Sequence, residues 1–210
     1  MQERLDIYNE AWQRIGTAPR DEVHEKGLLH RVVHCWILEN QQPVFWFQQR
    51  AHTKKDFPDC FDLACGGHVD AGETPQQAML RELGEEIGLH VTEKDLIPLG
   101  AYRAPDFRMP GYYDREMSYV FMIRVDEPAF ELGDEVQRMV RVRAENFYQM
   151  EVNGRETIPV EMENAKHISV SRTRWCCHDG EFQAMVLPYL SKKKFRYFFS
   201  GRLTKSLFLV

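Results

Sequence analysis

The sequence predicts an α/β or α+β fold, because segments with strand composition alternate with segments of helical periodicity. Residues 28–38 and 44–49 are rich in aromatic and β-branched side chains and flank a polar turn at 40–42, which predicts a β-hairpin. Residues 75–87 repeat apolar side chains with the spacing of an amphipathic helix. With 210 residues and 43% hydrophobic content, the chain is long enough to bury a sizeable core.

The remaining elements follow from short local patterns. Residues 5–8 alternate as an edge strand, and residues 9–27 are polar and predict a turn or loop. Beyond the hairpin we predict a basic loop at 50–60, a short strand at 61–65, strands at 96–103 and 117–125 joined by a loop at 104–113, a segment of mixed helix and strand character at 134–148, and a terminal helix at 179–199 with Met185, Leu187 and Leu190 facing inward. We expect a single domain over 1–210, with a core at about 28–150 and a C-terminal helical extension.

Composition and charge narrow the class of protein. The net charge is −5, so no general attraction to nucleic acid is expected. The tail at 192–199 interleaves basic and aromatic residues, for which an amphipathic helix or a dimer contact is a better explanation than nucleic acid. The chain opens without a signal-peptide pattern, and no apolar run approaches the roughly 20 residues of a membrane span. We therefore expect a cytoplasmic protein with no membrane association.

The cysteines are odd in number and show no paired framework, which predicts reduced thiols. There are five of them: Cys35, Cys60, Cys65, Cys176 and Cys177. The adjacent Cys176 and Cys177 precede His178, but no second Cys or His pair stands at zinc-finger spacing.

The predicted helix at 75–87 carries both a start signal and a stop signal. Thr74 is a favoured N-cap, Pro75 suits the first helical position, and Gln77 completes a Thr-x-x-Gln capping box. Gly88 is a natural helix terminator.

Three carboxylates share one face of this helix. Glu82, Glu85 and Glu86 lie opposite the apolar face that is formed by Leu80, Leu83 and Ile87. Carboxylates three and four residues apart repel one another on a bare helix. A divalent cation such as Mg²⁺ or Mn²⁺ reverses that effect, because its preferred ligands are oxygen atoms. A solvated acidic face is the ordinary explanation of such a run, but the flanking glycines, Glu73 and Arg81 favour a metal site.

The spacing of the whole segment is more specific than the helix. Gly67, Glu73, Arg81-Glu82-Leu83, Glu85-Glu86 and Gly88-Leu89 stand at intervals that resemble the Nudix box, the signature of hydrolases that cleave a diphosphate linked to another moiety. The resemblance implies an α/β/α sandwich with a mixed β-sheet. It also implies a pyrophosphohydrolase that depends on Mg²⁺ or Mn²⁺ and acts on a small-molecule diphosphate.

The resemblance also implies roles by position. Glu82, Glu85 and Glu86 would be metal ligands with a catalytic function, and the backbone carbonyl of Gly66 would join them. A bidentate arginine–carboxylate contact would lock the loop onto the helix. The residues with a structural role in the motif would be Gly67, Glu73, Arg81 and Gly88.

Residues outside the box are similar to the Nudix hydrolases related to isopentenyl-diphosphate isomerase. The likeness rests on segments 23–31, 49–50, 54–55, 57–58 and 66–69 and covers about residues 1–150. It implies a metal site of three histidines and two acidic residues, which would be His24, His30, His68, Asp114 and Glu116. It also implies that Arg50 and Lys54 would anchor the distal phosphate of the substrate. Structural histidines and a solvated basic loop are the alternative explanations.

Two departures from the isomerase pattern favour hydrolysis. Gly66 stands where the isomerase has its catalytic cysteine, and Cys65 lies one residue earlier, where strand alternation turns it to the other face. The chain also has the full glutamate set, which the isomerase lacks. Glu116 could then act as an extra ligand or as the catalytic base. An isopentenyl-diphosphate isomerase that uses Cys65 and a non-catalytic ligand-binding module stay open as alternatives.

Two further expectations concern the ligand and the assembly. Phe107, Tyr112 and Tyr113 could stack a substrate ring or pack within their own loop. The family resemblance also leaves a homodimer open.

Overall fold

A nine-stranded mixed β-sheet is the main element of the computed structural model, which describes residues 2–163, 165–176 and 178–192. Its strands are β3 (His30–Glu39), β4 (Val44–Arg50), β5 (Phe61–Leu63), β6 (Cys65–His68), β7 (Ile97–Arg103), β10 (Glu116–Val125), β11 (Val136–Arg143), β12 (Thr157–Glu161) and β13 (His167–Ser171). Two hairpins lie outside it and consist of β1 (Arg4–Tyr8) with β2 (Arg14–Pro19) and β8 (Phe107–Met109) with β9 (Tyr112–Asp114). The strand order is β13-β12-β11-β4-β3-β10-β7, with β5 paired to β4 and β6 paired to β3.

Helices cover both faces of this sheet. They are α1 (Arg20–Lys26), α2 (Pro75–Ile87), α3 (Ala144–Glu151) and α4 (Leu187–Lys192), which continues a π-helical turn at Phe182–Val186. Short 3₁₀ turns lie at Glu93–Asp95 and Arg172–Arg174. The predicted α/β/α sandwich with a mixed sheet is therefore confirmed.

Strand alternation divides the core into two layers. Along β3, Val33, Cys35 and Ile37 face the layer that includes α2, whereas Trp36 and Leu38 face the layer that includes α3 and α4. The second layer is strongly aromatic, with Trp36, Phe45, Phe47, Phe147 and Phe182 among its buried members. Because both faces of β3 are covered by core layers, the strand is apolar on both faces instead of alternating with polar residues.

The parallel pair of strands at the centre of the sheet positions the site. β3 and β10 run side by side from His30 opposite Glu116 to Glu39 opposite Val125. Because parallel register holds without a break, His30 and Glu116 start their strands at the same edge of the sheet. Strand β6, which leads into α2, pairs with the other side of β3.

Helix α2 has the predicted bounds and the predicted caps. The Thr74 side chain accepts from the Gln77 amide, the capping box is complete, and Gly88 ends the helix at φ 64°. Leu83 and Ile87 are fully buried, and Leu80 is half-buried. These signals lie within a few residues of one another, which is why sequence pattern alone predicts them.

The prediction of a loop at 9–27 is wrong. Arg14–Pro19 forms β2 and Arg20–Lys26 forms α1, and the two elements close a small core around Leu5, Ala18 and Val23. Few apolar residues are needed for a core of this size, so the segment keeps the polar composition of a loop. The loop predicted at 104–113 also contains structure, because the β8–β9 hairpin turns at Gly111 with φ 76°.

The mixed character of 134–148 resolves into a strand followed by a helix. β11 contains a register shift between Val136 and Arg138, so Val136 and Met139 both face the α2 layer. This β-bulge produces an i, i+3 spacing that imitates a helix face. The residues after position 150 include β12 and β13, which the sequence patterns did not predict.

The terminal helix begins later than predicted, at the π-helical turn Phe182–Val186. Leu190 is buried, and Met185 and Leu187 are half-buried. The predicted continuation to 199, with most of the basic and aromatic tail, lies outside the described residues.

Candidate active site

A polar cavity of about 760 Å³ opens where β6 meets α2 and where β3 and β10 begin. Three groups of side chains line it: carboxylates of α2, a histidine and acidic cluster, and a basic wall. All but two of the predicted metal-ligating and substrate-binding residues line this cavity, and the other two, His24 and His30, are buried next to His68, which lines it. The fold therefore brings together residues that are up to about ninety positions apart in the chain.

The α2 carboxylates differ in burial. Glu86 is buried and accepts from Gln48 at 3.3 Å and from the Gly66 backbone amide at 3.2 Å. Glu82 is half-buried, and Glu85 is largely exposed. Burial raises the pKa of Glu82 to about 8, against the opposing charge of Arg81, and burial raises the pKa of Glu86 to about 7. Ionised carboxylates are costly in this position unless a cation accompanies them, so the set fits a divalent metal ion.

Arg81 ties the loop before α2 to the helix. Its Nε and Nη2 donate to Glu73 at 3.1 and 3.0 Å, which is the bidentate contact expected from the sequence. Nη1 donates to Glu82 at 2.7 Å and to Glu85 at 3.2 Å. Nη2 also donates to the His68 carbonyl at 3.0 Å. One side chain thus fixes the orientation of the loop and of two carboxylates.

Two glycines of the motif allow close approaches that no other residue permits. A Cβ atom added at Gly67 would overlap the Glu82 carboxylate. A Cβ atom at Gly88 would overlap Glu131, and the φ of 64° at Gly88 further disfavours any side chain.

Three histidines converge beside the α2 carboxylates. Nδ1 of His24 donates to the Arg20 carbonyl and Nδ1 of His30 donates to the Leu28 carbonyl, each at 3.0 Å. Nδ1 of His68 lies 2.9 Å from Glu3. Because Nδ1 is used in each ring, Nε2 is left for a ligand.

The buried atoms at the centre of this cluster lack partners. Among the described residues, Nε2 of His24, Nε2 of His30 and Oδ1 of Asp114 have no hydrogen-bond partner, although Oδ1 lies 3.9 and 3.5 Å from the two nitrogens. Burial lowers the pKa of His24 and holds the pKa of His30 well below its usual range. Neutral imidazoles are the metal-binding form.

Glu116 stands next to this group as the register partner of His30. Ligand atoms of His30, Asp114 and Glu116 lie within 4.8 Å of one another, as do those of His24, His30 and His68. Burial, together with Asp114, raises the pKa of Glu116. The orphaned nitrogen and oxygen atoms fit a second divalent cation, of the kind that imidazole and carboxylate bind together.

The basic wall of the cavity contains Arg50 and Lys54. Arg50 donates to Asp62 at 3.1 Å and twice to the Asp56 carbonyl, at 3.0 and 3.3 Å. Lys54 pairs with Glu135 at 2.5 Å. Both cations line the cavity, and both are already held by an acidic partner.

The three aromatic residues of the β8–β9 hairpin have different surroundings. Phe107 lies at the cavity rim, with its ring centroid 5.7 Å from that of Phe57. Tyr112 stacks on His24 at 4.6 Å. Tyr113 is not among the cavity-lining residues described. The guanidinium carbon of Arg108 lies over its ring, 3.8 Å from the ring centroid. Of the three predicted stacking residues, Phe107 and Tyr112 both line the cavity, and one face of the Tyr112 ring is taken by His24.

Sequence patterns missed a group of charged residues on the cavity wall. Nδ1 of His34 donates to Glu181 at 2.6 Å, and Nε2 of His178 donates to Asp62 at 2.7 Å. Burial alone would lower the pKa of His34, but Glu181 outweighs it and raises that pKa to about 9. His34 and Glu181 are 147 positions apart, so no local signal links them.

The mixed sheet, the capped carboxylate helix and the polar cavity define a class of α+β protein with an acidic cleft between a sheet and a helix. The NUDIX domain family matches residues 28–160 of this chain. The chain therefore belongs to the Nudix hydrolase family.

Individual relatives agree with this assignment. An uncharacterized Nudix hydrolase from Clostridium acetobutylicum is 33% identical over 151 residues, which cover 70% of this chain and 72% of that protein. An isopentenyl-diphosphate Delta-isomerase from Corynebacterium diphtheriae is 33% identical over 133 residues, covering 60% of this chain and 71% of the relative. A crystal structure from Deinococcus radiodurans shares the fold with a TM-score of 0.55 at 23% identity, covering 72% of this chain and 90% of that one. In the described part of the chain, no helix has the length and apolar character to cross a membrane.

Proposed function

We propose that this protein hydrolyses the diphosphate bond of a small organic or nucleoside diphosphate in a reaction that depends on Mg²⁺ or Mn²⁺. Water attacks one phosphorus atom, and the products are a phosphomonoester and a second phosphate fragment. The observation that carries the proposal is the pair of glutamates Glu82, which is half-buried, and Glu86, which is buried; both line a cavity that Arg50 and Lys54 also line. Hydrolysis of a diphosphate requires positive charge to neutralise the phosphate groups, and it requires carboxylates that bind the metal ions which supply part of that charge.

Two sets of residues would hold cations. The first consists of Glu82, Glu85 and Glu86, with Gly66 beside them. The second is the cluster formed by His24, His30, His68 and Asp114, with Glu116 beside them. When bound, a divalent cation supplies charge neutralisation to the diphosphate and makes the attacking water more acidic.

The other roles belong to side chains of the chain itself. Arg50 and Lys54 would bind the distal phosphate, since both line the same cavity as the carboxylates of α2. Glu116 would accept the proton of the attacking water, because its carboxylate is near the histidine cluster and its raised pKa lies closer to neutrality than that of a free glutamate. Phe107 at the rim would contact the organic moiety.

Isomerisation of isopentenyl diphosphate is the second candidate. The assembled histidine and acidic cluster and the identity to a named isomerase favour it. The position of Cys65 weighs against it, because this thiol is fully buried and burial raises its pKa well above the usual range. A catalytic cysteine needs an accessible thiol with thiolate character.

The test is a hydrolysis screen with Mg²⁺ or Mn²⁺ that uses CDP, UDP, ADP-ribose, thiamine diphosphate and isopentenyl diphosphate, with products identified by mass. Wild type is compared with Glu86→Gln and with Glu93→Gln, a matched control at an exposed position away from the cavity. We expect cleavage that requires the cation, disappears in Glu86→Gln and persists in Glu93→Gln.

Other outcomes would redirect the assignment. Isomerised isopentenyl diphosphate without cleavage, abolished by Cys65→Ala, would establish the second candidate. Tight binding of one compound without turnover at any cation would support a non-catalytic binding module. Localisation and oligomeric state stay predictions that this screen does not address.

A further inference from the structure

A buried network of charges forms one wall of the cavity, and part of it comes from beyond the region matched by the family. Glu181 is 1% exposed. Its two carboxylate oxygens accept from His34 at 2.6 Å and from the Trp36 indole at 2.9 Å. The residue immediately precedes the π-helical turn Phe182–Val186. π-Helical turns are rare and are concentrated at functional sites.

A second pair lies next to the first. Asp62 accepts from Nε2 of His178 at 2.7 Å and from Arg50 at 3.1 Å. The rings of His34 and His178 are 4.7 Å apart and nearly perpendicular, at 73°. Two carboxylates therefore hold two imidazoles and one guanidinium in a single cluster.

The hydrogen bonds determine which ring atoms face the ligand. A carboxylate only accepts hydrogen bonds, so Nδ1 of His34 and Nε2 of His178 carry the shared protons. Nε2 of His34 and Nδ1 of His178 have no hydrogen-bond partner in the described parts of the chain. Both histidines line the main cavity, so these two atoms are available to a bound molecule.

The chemistry of the cluster favours an anion over a metal ion. Ligand atoms of His34, His178 and Glu181 lie within 4.8 Å of one another, which is close enough for a cation. Arg50, however, belongs to the same cluster through Asp62, and its permanent charge opposes a cation there. The guanidinium of Arg50 and the second ring nitrogens of His34 and His178 lie on the same cavity wall, and such a group of nitrogen atoms suits the oxygens of a phosphate.

We propose that His34 and His178, together with Arg50, form a phosphate-binding subsite for the distal phosphate of the diphosphate substrate. Glu181 and Asp62 are positioning residues, which act through the two histidines. This inference deepens the proposed function and rests on it. It gives a role to His178 and Glu181, which lie outside the family match at 28–160.

The test measures pyrophosphate binding without metal. In EDTA, ¹⁵N-labelled protein is titrated with pyrophosphate, and the imidazole nitrogen resonances of His34 and His178 are followed by NMR. His34→Asn keeps an amide donor for Glu181 but lacks the Nε2 atom. His178→Gln keeps a donor for Asp62 but lacks Nδ1. His52→Gln is the matched control, because His52 is 84% exposed and does not line the cavity.

We expect pyrophosphate to shift Nε2 of His34 and Nδ1 of His178 in the wild type. The Kd should rise about tenfold in His34→Asn and in His178→Gln, which corresponds to one lost charge-assisted hydrogen bond each. His52→Gln should bind as the wild type does. Unchanged affinity in both subsite variants would overturn the proposal. Stoichiometric uptake of Mn²⁺ or Zn²⁺ that is lost in His34→Asn would overturn it in favour of a metal site.

A kinetic arm separates positioning from folding. Glu181→Gln keeps the volume of the side chain and an acceptor for Trp36, and its folding is checked by thermal unfolding. In a folded variant we expect KM for the diphosphate to rise several-fold, with kcat nearly unchanged. A fall in kcat at constant KM would refute the binding role. Because the NMR arm requires no turnover, a failure of the proposed hydrolysis would leave its result intact.

Discussion

Replacing Arg81 by lysine tests whether the guanidinium is what holds the loop onto α2. The guanidinium satisfies Glu73, Glu82, Glu85 and the carbonyl of His68 in three different directions. A lysine ammonium keeps the positive charge but concentrates its three donors on one nitrogen atom. It can therefore serve only part of this set of acceptors.

The expected loss follows from counting the bonds. At least two of the five hydrogen bonds disappear, and a hydrogen bond to a charged group contributes about 1.5–3 kcal/mol. The Arg81 side chain is 28% exposed, so solvent compensates for part of this. We expect the free energy of unfolding to fall by about 3 kcal/mol. For a chain of this length the Tm should fall by roughly 6–12 °C.

Urea unfolding of wild type, Arg81→Lys and Arg143→Lys measures the effect. Arg143 is exposed at the end of β11, so its replacement controls for the loss of a guanidinium as such. Activity should fall together with stability, because the Arg81 guanidinium also orients the carboxylates of Glu82 and Glu85. A destabilisation below about 0.5 kcal/mol, the range of ordinary surface substitutions, would refute the reasoning.

Three further outcomes are expected. Glu116→Gln should cut kcat by about 100-fold or more while moving the Tm little, because the role we propose for Glu116 is proton transfer. A wild-type kcat would exclude that role. Mn²⁺ at about 100 times its Kd should stabilise the wild type by about 2.7 kcal/mol and Glu86→Gln by clearly less, as measured by thermal unfolding with and without EDTA; equal stabilisation would place the ion elsewhere. Gly67→Ala should displace the Glu82 carboxylate and lower kcat, whereas Gly16→Ala, where an added Cβ finds only ordinary contacts at 3.9 Å, should be active.

Local signals account for the parts of the structure that sequence reasoning predicted. The α2 helix needs only Thr74, Gln77 and Gly88, all within fifteen positions, to begin and end where it does. The glutamates reach the cavity because helical periodicity alone aligns them. Burial could not be predicted in the same way, and it is burial that distinguishes Glu86 from the exposed Glu85.

Long-range pairing accounts for the parts that sequence reasoning missed. β2 forms because it pairs with β1, and α1 is held in place because Val23 packs against Leu5 and Ala18. The polar composition of this segment predicts neither contact. The bulge in β11 depends on the register against β4, which no pattern in β11 encodes. The pairing of His34 with Glu181 likewise depends on the tertiary fold, because the two residues are 147 positions apart in the chain.

The unbroken strand β3 sets a distance inside the cavity. His30 belongs to the histidine cluster and His34 to the charged wall, and they stand four positions apart on one face of the same strand. At roughly 3.3 Å per residue their Cα atoms are about 13 Å apart. Hydrogen bonds to β6 and β10 on either side keep this spacing rigid. The strand therefore sets the length of ligand that can reach both histidines. Inorganic phosphate can contact the site at His30 or the site at His34, and a longer molecule is needed to contact both at once.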